Sequence, residues 1–166
     1  IPEVEFSLEN KQKTGFLNVL EKRLERKSHA VIVVAEGAGQ NFFKGERKKD
    51  ASGNLLHEDI GVFLKNQITD YFKKKKIPIS VKYIDPSYII RSIPANANDS
   101  KFCEQLTHCA VHAAMAGRTD FVIGNWNGSF TLLPIGIATS SRKKIHPESE
   151  FWWNVVEATG QPMNMK

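Results

Sequence analysis

Phe16, Leu17, Leu20 and Leu24 recur at the spacing of one helical face, so the hydrophobic pattern predicts an amphipathic helix over residues 15–27. Residues 30–35 form a continuous apolar run rich in valine, the pattern of a strand buried on both faces. Ile60, Phe63, Leu64, Ile68 and Phe72 predict a second amphipathic helix over 60–75. Ile79, Val81 and Tyr83 then alternate as a strand over 79–84, closed by an Asp85-Pro86-Ser87 turn. A third helix, capped by Asn98 or Asp99, runs to Ala116 and stops at Gly117. Short strands at 121–124 and 131–133 flank an Asn127-Gly128 hairpin turn. A last helix over 148–157 carries Phe151, Trp152 and Val155. Between the first strand and the second helix, residues 36–54 are polar and glycine-bearing, with Lys44, Arg47, Lys48 and Lys49. They read as a loop whose last turn is Asp50-Ala51-Ser52-Gly53. The β-α-β rhythm predicts an α/β sheet with helices on both faces.

Composition narrows the class. At 166 residues the chain is long enough for one core, and 41% hydrophobic with 25% charged residues is ordinary for a globular protein. No apolar run approaches the roughly 20 residues of a membrane span, and no signal-peptide pattern is present, so no membrane partner is expected. Cys103 and Cys109 make no disulfide framework. The net charge of +5 is spread thinly apart from residues 73–76 and 142–144. The first of these clusters ends a helix, where cations complement the dipole. Without an aromatic platform or a known module, a basic nucleic-acid-binding domain is the lesser alternative, and no nucleic-acid partner is expected. A positive surface also steers anionic sugar phosphates.

The densest candidate chemistry lies in residues 82–98, KYIDPSYIIRSIPANAN. Arg91 offers a rigid fork of donors suited to a phosphate, and the Tyr88 hydroxyl can read a sugar oxygen. The same residues also fit a plain structural role, with Asp85 and Arg91 as a surface ion pair and Tyr88 plugging a core edge. Gly37-Ala38-Gly39 after the valine run imitates a dinucleotide fingerprint, but position 42 is phenylalanine, and a turn with two glycines is the better reading. Glu36 beside it is a further acid of the same turn. His108 and His112 lie four apart with Cys109 between them, yet no third ligand is legible, so no metal site is expected. No serine–histidine–acid nucleophile is legible.

These motifs resemble the 6-phosphofructokinases of plant and kinetoplastid type, a branch close to the pyrophosphate-dependent enzymes. The resemblance is carried by Ile1-Pro2-Glu3, by the run from His29 to Gln40 (HAVIVVAEGAGQ), by the 82–98 segment, by the helix ending Met115-Ala116-Gly117, and by Thr159-Gly160-Gln161-Pro162. The family's glycine-rich nucleotide segment, its catalytic aspartates and its MGR motif are not in this sequence. The resemblance therefore implies the C-terminal part of a longer enzyme, inactive alone, with no catalytic residue and no cofactor-binding or metal-binding residue of its own. Mg2+ and ATP, or pyrophosphate, would be bound by the missing N-terminal part, which becomes a partner.

The resemblance also implies roles for individual residues. Glu3 matches the glutamate that accepts hydrogen bonds from the fructose hydroxyls, and Tyr88 and Arg91 match the sugar-phosphate pair. The backbone at Ile89 and Ile90 would line the same pocket with their side chains facing the core. Lys82 matches a basic position that reaches the 6-phosphate in a neighbouring subunit. The implied substrate is fructose 6-phosphate, phosphorylated to fructose 1,6-bisphosphate in glycolysis by a homo-oligomer of cytoplasmic type, an organellar parent remaining open. The alternative is a stand-alone regulatory domain that binds the sugar phosphate without chemistry. By family topology the fold is a phosphofructokinase-like open sheet shared between two lobes. Residues 1–92 would lie in the sugar-phosphate lobe, 93–140 in the nucleotide lobe, and 141–166 would return to the first. Apolar faces left uncovered by such a division would make the isolated chain unstable or associating.

Overall fold

The computed structural model describes residues 1–45, 49, 51, 56–141 and 144–166. Arg47, Lys48, Arg142 and, of the expected 50–53 turn, Asp50, Ser52 and Gly53 lie outside the described residues. The chain divides into two compact units, one of Ile1–Ile84 with Lys144–Lys166, the other of Asp85–Lys143. The class is mixed α/β, as expected. In order come helices α1 (Phe16–Lys27), α2 (Ile60–Lys74), α3 (Ser87–Ser92) and α4 (Ala97–Met115), strands β1 (Phe121–Trp126) and β2 (Ser129–Pro134), then α5 (Ile135–Ala138) and α6 (Glu150–Thr159).

In the first unit, α1 and α2 share one core. Phe16, Leu17 and Leu20 of α1 pack with Ile60, Leu64, Ile68 and Phe72 of α2, and Phe6 from the preceding segment joins them. These are the positions that the helical spacing selected. Asp59 caps α2 by accepting the Val62 N–H at 2.9 Å, leaving Lys73 and Lys74 in the last turn, where they complement the dipole. Ser149 caps α6 in the same way, and Trp152 is its buried anchor. The last residues are sewn to the first. The Ser7 N–H donates to Met165 O at 2.8 Å, Thr14 Oγ1 to Lys166 O at 2.5 Å, and Arg23 Nη1 to Thr159 O at 2.9 Å.

A polar chain crosses the edge of this core. Asn18 Nδ2 donates to Tyr71 Oη at 3.2 Å, Tyr71 Oη donates to Glu21 Oε2 at 2.8 Å, and Lys75 Nζ donates to Glu21 Oε1 at 2.6 Å while lying over the Tyr71 ring. The Lys75 hydrogen bond, with help from Tyr71, holds the Glu21 carboxyl below the usual carboxylate range, and Glu21 in turn raises the Lys75 ammonium. A carboxyl depressed by folding adds stability above its unfolded pKa, and that stability is lost as pH falls through the folded value. The raised ammonium acts at the opposite end, keeping its contribution until pH rises through its folded pKa. Glu21→Gln is therefore expected to lower the melting temperature at neutral pH. The gap to the unmodified chain should shrink as the solution is acidified through the carboxylate range, which a melting series against pH measures. A gap that stays constant down to strong acid would contradict the role given to Glu21.

The expected strands need correction. Residues 30–35 and 79–84 carry no regular secondary structure, and the sheet among the described residues is the two-stranded β1–β2 hairpin. Val31 and Val33 are 85% and 77% exposed. The Ala35 N–H, donating to Ile1 O at 3.0 Å, gives the first segment a foothold, while Val34 and Val81 lean on the core. An apolar run can call for burial on both faces, but a strand exists only where a second backbone accepts its hydrogen bonds.

In the second unit, Asn96 rather than Asn98 or Asp99 caps α4, accepting the Asp99 N–H at 2.9 Å. The β1–β2 hairpin is antiparallel, with Phe121 opposite Pro134 and Trp126 opposite Ser129. Asn127 and Gly128 both take positive φ, 48° and 80°, as a two-residue hairpin turn of the expected kind requires. Phe102 of α4 meets Phe130 of β2 with ring centroids 5.6 Å apart. Among the described residues of this unit, however, Ala113 alone is buried. Burial on that scale cannot offset the chain entropy of nearly sixty residues. Residues 85–143 expressed alone are expected to show no cooperative thermal transition by circular dichroism, and a sharp transition would contradict this.

Candidate functional site

The candidate residues fall in both units. In the second, Asp85 and Pro86 lead into α3. The Asp85 carboxylate accepts the Ser87 N–H at 3.0 Å, and the Ile90 N–H donates to Pro86 O at 2.8 Å. The expected Asp85-Pro86-Ser87 turn thus leads straight into a short helix begun by an aspartate–proline pair. This places Tyr88 and Arg91 three residues apart, on one face. The Arg91 guanidinium lies over the Tyr88 ring, 5.5 Å from its centroid, a cation–π contact that favours one orientation of the fork. The Ser87 hydrogen bond holds the Asp85 carboxyl below the usual range, with the Arg91 charge a smaller contribution.

Ile89 and Ile90 differ from expectation. Their side chains do not face a core but are 59% and 63% exposed, because α3 is short and this unit has almost no buried interior to receive them.

In the first unit, Glu3 sits in a tight bend marked by the Val4 N–H donating to Pro2 O at 2.8 Å. Its Oε2 lies 3.4 Å from Lys144 Nζ. Its other oxygen lies against Gly37, in the turn of residues 36–39. Gln40 pins that turn: Nε2 donates to Glu36 O and Glu58 O, each at 3.0 Å, and Oε1 accepts the Glu58 N–H at 3.1 Å. The glycine pair is followed by a three-residue 3-10 turn (Gln40–Phe42), not the helix that a dinucleotide fingerprint needs. Lys82 is exposed in the irregular segment before Asp85, and next to it the Tyr83 hydroxyl reaches the Asp59 carboxylate at 3.2 Å.

Among the described residues no group of three or more His, Cys, Asp or Glu side chains comes together to hold a metal; His108 and His112 both lie on α4. No helix among the described residues is long and apolar enough to cross a membrane.

No protein-family model matches the chain. Individual proteins do. The chain is 52% identical to the ATP-dependent 6-phosphofructokinase of Borreliella burgdorferi, with all of this chain and 38% of that protein aligned. It is 43% identical to the ATP-dependent 6-phosphofructokinase of Amycolatopsis methanolica, over 98% of this chain and 36% of the relative. It is 44% identical to ATP-dependent 6-phosphofructokinase 5, chloroplastic, of Arabidopsis thaliana, over 98% and 30%. The chain is homologous to part of the ATP-dependent 6-phosphofructokinases. It spans between 30% and 38% of the length of these relatives. The likeness expected from the five motifs is thus matched by these relatives, and it draws attention to the neighbours of Glu3. Sequence reasoning missed both of them. Gly37 was legible only as a turn glycine, and Lys144 only as one of three consecutive cations.

Proposed function

We propose that this chain forms the acceptor-binding part of an ATP-dependent 6-phosphofructokinase, which transfers the terminal phosphoryl group of ATP to the 1-hydroxyl of fructose 6-phosphate in glycolysis. The observation that carries this reading is identity of 43–52% over essentially the whole chain to proteins bearing that name. Phosphoryl transfer depends mainly on positioning and on neutralising charge, so a segment that only holds the acceptor is a meaningful part of such an enzyme.

Each residue has its own task in this reading. Arg91, stacked on Tyr88, meets the 6-phosphate with two parallel N–H donors, and the tyrosine hydroxyl bonds a sugar oxygen. Glu3 accepts hydrogen bonds from fructose hydroxyls. The backbone at Ile89 and Ile90 lines the phosphate end. Lys82 places a point charge towards the phosphate held by a neighbouring subunit, which makes the enzyme a homo-oligomer. Residues 1–92 and 141–166 belong to the sugar-phosphate lobe and 93–140 to the nucleotide lobe. Mg2+ supplies charge neutralisation at the nucleotide; its ligands, with those for ATP, belong to other segments of the enzyme, which is cytoplasmic.

The test is a coupled assay of the full-length protein with fructose 6-phosphate and either ATP or pyrophosphate. Saturable production of fructose 1,6-bisphosphate with ATP is the expected result. No turnover with either donor, from a folded protein that also fails to bind fructose 6-phosphate in a calorimeter, would overturn the reading.

A further inference from the structure

We infer that Gly37 and Lys144 are positioning residues that together set the orientation of the Glu3 carboxylate; this rests on the reading of Glu3 as a contact to the sugar. A Cβ on Gly37 would lie 2.2 Å from Glu3 Oε1 and 2.6 Å from Glu3 Cδ, far inside van der Waals contact. The carboxylate therefore occupies the space that any other residue at 37 would fill. Its second oxygen faces the Lys144 ammonium at 3.4 Å. One oxygen is thus fixed by shape and the other by charge.

The turn cannot simply yield to a larger residue. Gln40 is buried and holds the turn by three hydrogen bonds to the main chain at Glu36 and Glu58, and the Ala38 N–H donates to Ala35 O at 2.9 Å. The Glu3 carboxylate, by contrast, ends a flexible side chain that is 35% exposed. When the two collide, the carboxylate moves. Gly37 is not among the residues with positive φ, so an alanine fits the backbone there and only the collision is introduced. A carboxylate displaced by an ångström or more no longer matches hydroxyls held elsewhere on the substrate, and losses of this kind reach about a hundredfold.

The experiment is a cycle of variants in the full-length protein: Gly37→Ala, Glu3→Gln and the pair combined, with KM for fructose 6-phosphate read against KM for ATP. Gly37→Ala is expected to raise KM for fructose 6-phosphate about tenfold, within the range set by such misplacement, and to change KM for ATP far less. In the Glu3→Gln background it should add less than about twofold, because residues acting through one group are not additive. If Glu3→Gln raises KM but Gly37→Ala does not, or if the two effects multiply, the positioning role is overturned while the substrate reading stands. If Glu3→Gln leaves KM unchanged, the assignment of Glu3 itself fails, and the positioning role with it. Should Gly37→Ala give no folded protein, Lys144→Gln, at an exposed site, carries the test. It should raise KM severalfold and be silent in the Glu3→Gln background, and an unchanged KM would overturn the proposal.

Discussion

Arg91→Ala in the full-length protein lowers the affinity for fructose 6-phosphate by about ten- to two-hundredfold, the equivalent of about 1.5–3 kcal/mol for hydrogen bonds to a charged group. The argument starts from α3. The Asp85 carboxylate is already bonded to the Ser87 N–H, and the guanidinium rests on the Tyr88 ring, so its donors are not spent on an intramolecular partner. A phosphate arriving there takes two parallel hydrogen bonds from an oriented fork. Arg91→Lys keeps the charge but loses the fork, so it should recover only a minor share of the affinity. Calorimetric titration with fructose 6-phosphate measures both variants. Because Arg91 is exposed, neither change should move the melting temperature appreciably. Full affinity in Arg91→Ala would remove Arg91 from the site.

Phe72→Ala has the opposite profile. Phe72 is 1% exposed and packs edge-on against Tyr71, with ring centroids 5.3 Å apart, in the core shared by α1 and α2. Truncating a buried phenylalanine costs about 3–5 kcal/mol, through lost transfer energy and the cavity left behind. A domain holds only about 5–15 kcal/mol in total, so a fifth or more of the stability is at stake. Urea unfolding should show a large fall in midpoint. A loss below about 1 kcal/mol would mean that the α1–α2 core is far more plastic than its packing implies.

The helices were legible because their information is local. Phe16, Leu17, Leu20 and Leu24 specify a face without reference to the rest of the chain, as do Ile60, Leu64, Ile68 and Phe72. Asn127-Gly128 specifies a hairpin because only such residues adopt its backbone cheaply. The strands at 30–35 and 79–84 were not legible to the same degree, since a valine run states a preference for burial but not which backbone answers it. The helix α3 was hidden by its own start: Asp85-Pro86-Ser87 reads as a turn, yet the same residues make a good helix entry, with proline at the boundary. In the candidate site, Arg91 and Tyr88 could be selected by side-chain chemistry. Gly37 could not, because its contribution is the absence of an atom, which becomes visible only once Glu3 is seen beside it.

The hydrogen bonds that join Ser7, Thr14 and Arg23 to Met165, Lys166 and Thr159 also bear on the order of events during synthesis. The first half of this unit leaves the ribosome with α1 and α2 but without the stretch that closes it. All of residues 85–143, with their sparse interior, must emerge before that stretch is made. The nascent chain therefore spends the translation of some sixty residues without the stretch that completes this unit, a window in which exposed apolar surface favours aggregation. Slowing translation within 85–143 would lengthen that exposure.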